Sequence, residues 1–328
     1  MRVIRGLHNL RPGHRGCVAT IGNFDGVHLG HRAVFQRLLA KGRALGVPAT
    51  VITFEPQAME YFAPDAAPAR LTRLREKLAA LAACDIEQVM LLEFGPRLAR
   101  MEARDFVRRL LVEGLGARHL LVGDDFRFGR GREGDYPLLE VMGREHGFEV
   151  EDLHTVTHGE ERVSSTRIRE ALARGDLVLA RHLLGRPYRV CGRIGHGDKR
   201  GRTIGFPTAN INLHRRVSPL RGVYAVMVDG VADRPWPGVA NIGISPMFSY
   251  DTPLLEVHLL DFNADLYGKH MRVALIDYLR PEISFPDLEA LKERMVEDRE
   301  RASAILAFES WEETWPTSPF ITAPQDRE

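Results

Sequence analysis

Through the first 185 or so residues the chain alternates apolar runs with helix-period segments, and beyond that point the helix period gives way to short strands. Residues 16–22 (GCVATIG) and 49–54 (ATVITF) read as strands, and 31–45 between them sets Val34, Leu38, Leu39 and Leu45 on one helical face. Residues 72–83 read as a helix, 88–93 as a buried strand, 103–113 as a helix and 119–122 as a short strand. Such a rhythm needs crossover connections, and therefore a parallel sheet covered by helices, an α/β layer fold. Ligands of these folds sit past the carboxyl ends of the strands.

Residues 166–184 are the last helical stretch of this half. From Tyr188 the strands 188–195, 222–228, 238–242, 254–260 and 270–278 follow one another, and a helix over 287–308 closes the series. That pattern predicts a small antiparallel β-barrel with a helical appendage. The expected division is 1–184, 185–309, and a proline-bearing tail over 310–328.

Charge narrows the class of function. The 328 residues carry 45 Lys+Arg against 44 Asp+Glu, a formal net charge of +1. A chain that coats nucleic acid needs a large basic excess, so no nucleic-acid partner is expected. No apolar run approaches the roughly 20 residues that cross a bilayer, and MRVIRGLHNLRPGHRG lacks an apolar leader core, so neither a membrane partner nor a signal peptide is expected. Cys17, Cys84 and Cys191 make no CxxC pair and no zinc spacing, which fits reduced thiols in the cytoplasm.

TIGNFDGVHLGHRAVF (20–35) is the strongest local signal. A strand ends at Gly22, a glycine-rich turn follows, and a helix opens near His31. His28 and His31 bracket Leu29-Gly30 at a helix N-terminus, where unpaired N–H groups and two imidazoles can stabilise charge on a phosphate chain. No HExxH and no third ligand supports zinc. RVSSTRIR (162–169) offers Ser164, Ser165 and Thr166 as caps and hydroxyl donors, with Arg167 and Arg169 as cations for phosphates. VGDDFRFGRGREGD (122–135) alternates Phe126 and Phe128 among glycines, suited to covering a planar ligand or to a plain hairpin.

In the second half, GRIGHGDKRGRTIGFPTAN (192–210) has no Walker spacing, yet Gly197, Lys199 and Gly205 belong to a basic, glycine-rich flap. Thr208 and Asn210 offer hard oxygen ligands suited to Mg²⁺. Glu256 lies in LLEVHLLDF, on a strand otherwise apolar. A general base for an alcohol attacking a phosphate is one reading, and an outward-facing strand glutamate is the other.

GNFDGVHLGH, TFEP, GDDFRFG and SSTRIR together resemble the FMN adenylyltransferase module of the bacterial riboflavin kinase/FAD synthetase family, with the nucleotidylyltransferase HxGH signature standing as His28-Leu29-Gly30-His31. GRPY, GRTIGFPTAN, GVYAV, GVANIG and LEVHLLDFNADLYGK resemble its riboflavin kinase module. The resemblance implies a Rossmann-like nucleotidylyltransferase domain followed by a six-stranded antiparallel β-barrel with a C-terminal helix. It implies ATP, riboflavin, FMN and FAD as substrates and products, with Mg²⁺ as cofactor. By position it implies phosphate contacts at His28, His31, Asn23, Asp25, Gly30, Ser164, Thr166 and Arg167. It also implies flavin contacts at Asp125, Phe126 and Phe128, Mg²⁺–ATP at Thr208 and Asn210, and Glu256 as catalytic base. The chain departs from the usual pattern at Gln57-Ala58, where many members read His-Pro, and after NIG, where Ile244-Ser245-Pro246-Met247 replaces an Arg-Pro-Thr run.

Overall fold

The computed structural model describes residues 1–123, 125–153, 157–158, 161–195, 205–244 and 253–307. Gly197 and Lys199 of the expected flap, the 245–247 departure and the 310–328 tail lie outside the described residues. The described chain forms two compact units: Met1–Pro68 with Lys77–Val163, and Ala69–Glu76 with the residues from Ser164 onward.

In the first unit the chain runs β1 (Arg2–Arg5), β2 (Cys17–Ile21), α1 (Leu29–Leu45), β3 (Ala49–Phe54), α2 (Ala58–Phe62), α3 (Leu74–Ala82, counted here from Lys77), β4 (Gln88–Leu92), α4 (Pro96–Ala99) and α5 (Ala103–Phe106). A π-helical stretch (Val107–Gly114) continues α5, and β5 (Ala117–Val122), α6 (Tyr136–His146) and β6 (Glu149–Asp152) follow. The strands β7 (Thr157–His158) and β8 (Glu161–Arg162) pair, among the described residues, with each other in a two-stranded sheet. The six-stranded sheet has the order β1-β4-β3-β2-β5-β6 and every pair in it is parallel.

Strand alternation divides the core. Cys17, Ala19, Ile21, Met90, Leu120 and Val122 face a layer built by Phe106, Val107, Leu110, Leu111, Leu139 and Met142. Val18, Val51, Val89 and Leu121 face Phe35, Leu38 and Leu81 on the opposite side. Both faces of the sheet are thus dry, as parallel strands require. On α1 the buried stripe is Gly30, Phe35, Leu38 and Gly42, while Leu45, expected on that face, is exposed. From β2 the chain winds outward through β3 to β4, then returns to place β5 on the other flank of β2. The order reverses between β2 and β5, so ligands are expected beyond the carboxyl ends of those two strands.

The second unit contains α7 (Ser165–Ala173), α8 (Leu177–Leu184), β9 (Arg189–Gly195), β10 (Ala209–Asn212), β11 (Gly222–Asp229), β12 (Trp236–Ile244), β13 (Pro253–Leu259), β14 (His270–Arg280) and α9 (Leu288–Leu306). The helical stretch expected over 166–184 is two helices, divided where Gly175 takes φ +74° against the Tyr278 ring, a backbone that a side chain would strain. β9–β14 close into an antiparallel barrel, β10-β13-β12-β11-β14-β9. β10 is the sixth strand, which sequence pattern alone did not show.

Along β13 the burial alternates strictly: Leu255, Val257 and Leu259 are buried, while Leu254, Glu256 and His258 are half-exposed. The Asp287 carboxylate caps α9, which packs against β11, β12 and β14 over Val223, Ala225, Met227, Leu279, Ala302 and Leu306. Arg280 grips Asp298 at 2.7 Å in the same layer. A second buried pair fastens the Ala69–Glu76 segment to the barrel. Arg215, 5% exposed, donates to Glu76 Oε2 at 2.8 Å and to the Tyr188 hydroxyl at 2.6 Å, and Tyr188 donates to the Leu71 carbonyl. Burial works against the Arg215 charge, but the Tyr188 hydroxyl and the Glu76 carboxylate outweigh it and hold the guanidinium above its ordinary range.

Candidate functional sites

The loop between β2 and α1 occupies the carboxyl end of β2, beside the reversal of strand order. Phe24, Gly26 and Val27 all take positive φ there, at 47°, 83° and 45°. A branched valine in that region is strained, and strain of this kind concentrates at functional loops. Asn23 is exposed and its carbonyl accepts from the Thr53 hydroxyl at 3.3 Å, while Asp25 is 2% exposed.

His28 is the N-cap of α1: its Nδ1 accepts from the His31 backbone N–H at 3.3 Å. Accepting at Nδ1 leaves Nε2 as the proton-bearing nitrogen of the neutral ring. The His28 and His31 rings stack, with centroids 3.5 Å apart and planes 19° from parallel. Gly30 is needed between them: a Cβ there would stand 3.1 Å from the His28 ring and 3.4 Å from the Val163 carbonyl oxygen. Val163 is the residue before Ser164. Ser164 caps α7 by accepting from Arg167 N–H at 3.3 Å, as its sequence position suggests, and Thr166 stands exposed on the first turn.

The loop after β5 carries Asp125, Phe126 and Phe128. Asp125 is exposed and lies 3.6 Å from an Arg162 guanidinium nitrogen. Phe126 and Phe128 stack with centroids 5.4 Å apart. Phe128 also bridges Gly134 in a short hairpin and is buried against Phe106, so Phe126 is the ring nearer solvent.

Sequence reasoning missed Lys77, which is fully buried on α3 with Nζ 3.5 Å from the Thr53 hydroxyl. The signal was there, since Lys77 interrupts the apolar stripe of Leu74, Leu78 and Leu81.

In the barrel, register builds the site. Asn210 on β10 stands directly opposite Glu256 on β13, and Asn241 on β12 stands opposite Glu256 from the other side. Directly opposed residues on one face have Cβ atoms about 4.5–5.5 Å apart. Glu256 therefore faces outward from the apolar interior, flanked by two carboxamides. The Asn210 amide nitrogen donates to the Thr208 carbonyl at 3.5 Å, which turns its Oδ1 away as a hard oxygen donor, two residues from the Thr208 hydroxyl. Mg²⁺ takes one or two protein oxygens and completes its shell with water and phosphate oxygens, so this donor set fits it. Thr208 also borders a cavity of about 630 Å³ walled by Pro207, Ala209, Phe262, Asp265 and Tyr267 among others, in the size range of a nucleotide or cofactor pocket. No described helix is long and apolar enough to cross a membrane.

The sequence pattern of the FAD synthetase family matches residues 10–167, and that of the riboflavin kinase family matches residues 184–306. The bifunctional riboflavin kinase/FMN adenylyltransferase of Escherichia coli (strain K12) is 52% identical over 299 residues, covering 91% of this chain and 96% of that protein. The protein of the same description from Pseudomonas fluorescens is 52% identical over 309 residues, covering 94% and 98%. That from Haemophilus influenzae is 46% identical over 304 residues, covering 93% and 99%. Among solved structures, one described as a macrolide-efflux protein from Streptococcus pneumoniae superposes with a TM-score of 0.78 at 29% identity, over 92% of this chain and 99% of that one.

Proposed function

The chain belongs to the bifunctional riboflavin kinase/FMN adenylyltransferase family, and from that premise we propose how its residues divide the two reactions. The enzyme phosphorylates riboflavin with ATP to FMN, then adenylylates FMN with a second ATP to FAD. Adenylylation is assigned to residues 1–184 and phosphorylation to 185–309, with a tail over 310–328.

In the kinase, Glu256 takes the proton of the riboflavin 5′-hydroxyl as that oxygen bonds to the γ-phosphorus and the bond to ADP breaks. Thr208 and Asn210 would hold Mg²⁺, which when bound neutralises charge on the ATP phosphates. The cavity beside Thr208, with the Phe262 and Tyr267 rings in its wall, takes the nucleotide. The register of Asn210 against Glu256 carries this reading, because it sets a hard oxygen donor next to a carboxylate on one face.

In the adenylyltransferase, an FMN phosphate oxygen attacks the ATP α-phosphorus in line and pyrophosphate leaves. No proton needs to move at the nucleophile, so positioning and charge stabilisation carry the rate. His28 donates from Nε2 to the phosphates together with His31, and Asn23, Asp25 and Gly30 shape the loop around them. Ser164, Thr166 and Arg167 bind the triphosphate. Asp125 and Phe126 meet the flavin, with Phe128 supporting Phe126 from the core. A cytoplasmic location fits an enzyme that consumes ATP twice and whose three cysteines are free thiols.

Incubation with riboflavin and Mg²⁺–ATP, followed by separation of the three flavins over time, tests the whole reading. FMN should rise first and FAD after it; FMN without FAD would remove the adenylyltransferase half.

A further inference from the structure

His258 lies two residues beyond Glu256 on the same half-exposed face of β13. Its Nδ1 is 3.0 Å from the carbonyl oxygen of Pro207, and its ring packs on the buried Phe206 with centroids 5.1 Å apart. The Pro207 carbonyl can only accept, so Nδ1 carries the proton. Phe206 and Pro207 immediately precede Thr208, and the Asn210 side chain holds the next carbonyl, that of Thr208. Two successive carbonyls of one loop are thus tied by side chains on the same face. One of the ties comes from the strand that bears the base.

We propose that His258 is a positioning residue for phosphoryl transfer: its Nδ1–H fixes the Pro207 carbonyl and thereby the Thr208 hydroxyl at the Mg²⁺–ATP corner of the barrel. The proposal rests on the assignment of Thr208 to that corner. Burial pushes the imidazole below the usual histidine range; the Pro207 carbonyl and Asp261 pull it back in part, and Arg299 pushes with burial. The neutral ring keeps its single proton on Nδ1 and donates it in the hydrogen bond to the Pro207 carbonyl. Protonation at lower pH adds a proton at Nε2 and leaves the Pro207 bond intact, so the tie holds across the working pH range. Because loop placement precedes catalysis, its loss appears as weaker nucleotide binding rather than a slower chemical step.

The test uses the full chain with His258→Leu, His258→Asn and His258→Gln. An Asn amide nitrogen falls near the place of Nδ1, whereas a Gln amide nitrogen falls near that of Nε2. His258→Leu should raise the kinase KM for Mg²⁺–ATP and the calorimetric Kd for Mg²⁺–ADP about tenfold, the size expected for one hydrogen bond. The kinase kcat should stay within about twofold, and FMN adenylylation by the same preparation should be unchanged. His258→Asn should restore both constants to within about twofold, and His258→Gln should not. Asn behaving like Leu, or a fall in Tm with KM and Kd unmoved, would overturn the proposal in favour of a packing role. Thr208→Ala separates the two claims. If it leaves Mg²⁺–ADP binding intact, the Thr208 assignment fails and the proposal with it. If it abolishes binding while His258→Leu does not weaken it, only the positioning role fails.

Discussion

The imidazoles of His28 and His31 lie face to face, 3.5 Å between centroids, and the first accepts the backbone N–H of the second. That ring caps a 17-residue helix, and the role proposed for it adds a second job, presenting Nε2 to phosphates. Asparagine is itself a favoured N-cap, so substitution separates them. His28→Ala is expected to cost about 1 kcal/mol of stability and about a hundredfold or more in FAD formation. His28→Asn is expected to keep the stability and lose the FAD formation. Urea unfolding and an FMN-to-FAD assay on both variants check this; full activity in the Asn variant would confine His28 to capping.

Glu256→Gln is expected to give the opposite dissociation. The amide preserves shape beside Asn210 and Asn241 but cannot take the hydroxyl proton, so FMN formation from riboflavin should fall by a factor of about 10²–10⁴. FAD formation from supplied FMN should be unchanged. Loss of both activities in a folded variant would refute a division of the reactions between two sites.

How legible these sites were in the sequence follows from how local each one is. The candidate residues of the β2–α1 loop and of Thr208–Asn210 are contiguous in sequence, so strand end, glycines and histidines could be read directly. The sheet edge β1 escaped because RVIR interleaves two arginines with two apolar residues, too short a run for a period. β10 escaped because Pro207 and two asparagines look like a turn, and it becomes a strand by pairing with β13 and β9. That same register places Asn210 beside Glu256. Alternation puts Glu256 and His258 on one face of β13 but does not say on which side of the sheet the core lies; barrel closure turns that face outward. His258 and Arg215 act through backbone carbonyls and partners far away in sequence, and no local pattern announces such contacts.

The Arg215–Glu76 pair is nearly dry, with side chains 2% and 9% exposed. Removing one partner leaves the other charge buried, so Arg215→Met is expected to destabilise the second unit by about 3–5 kcal/mol. The double variant Arg215→Met/Glu76→Leu should recover much of that loss, since two apolar groups replace two charges. A double-mutant cycle from urea unfolding measures the coupling. Additive single effects would show that the two residues act independently.

The two raised thiols make stability fall at alkaline pH. Burial pushes Cys17 up to about 11, against a small opposing pull from the Thr50 hydroxyl. Burial and then the Glu76 carboxylate push Cys191 up to about 11, with Arg73 opposing. Both thiols keep their protons in the folded chain above the ordinary thiol value near 9, where the unfolded chain releases them. The unfolded state then binds fewer protons, so stability is intact below pH about 9 and falls as pH rises toward 11, by about 2–3 kcal/mol for each thiol. Urea unfolding at a series of alkaline pH values should show that decline, and Cys17→Ala should remove one thiol's share of it. Reactivity should follow the same division. At pH 8 a disulfide reagent should reach the buried Cys17 only in urea, and should modify Cys191, half-exposed like Cys84 but with its thiol held up near 11, only slowly, because the thiolate is the reactive form. Rapid native modification of all three thiols would contradict the burial that raises two of them.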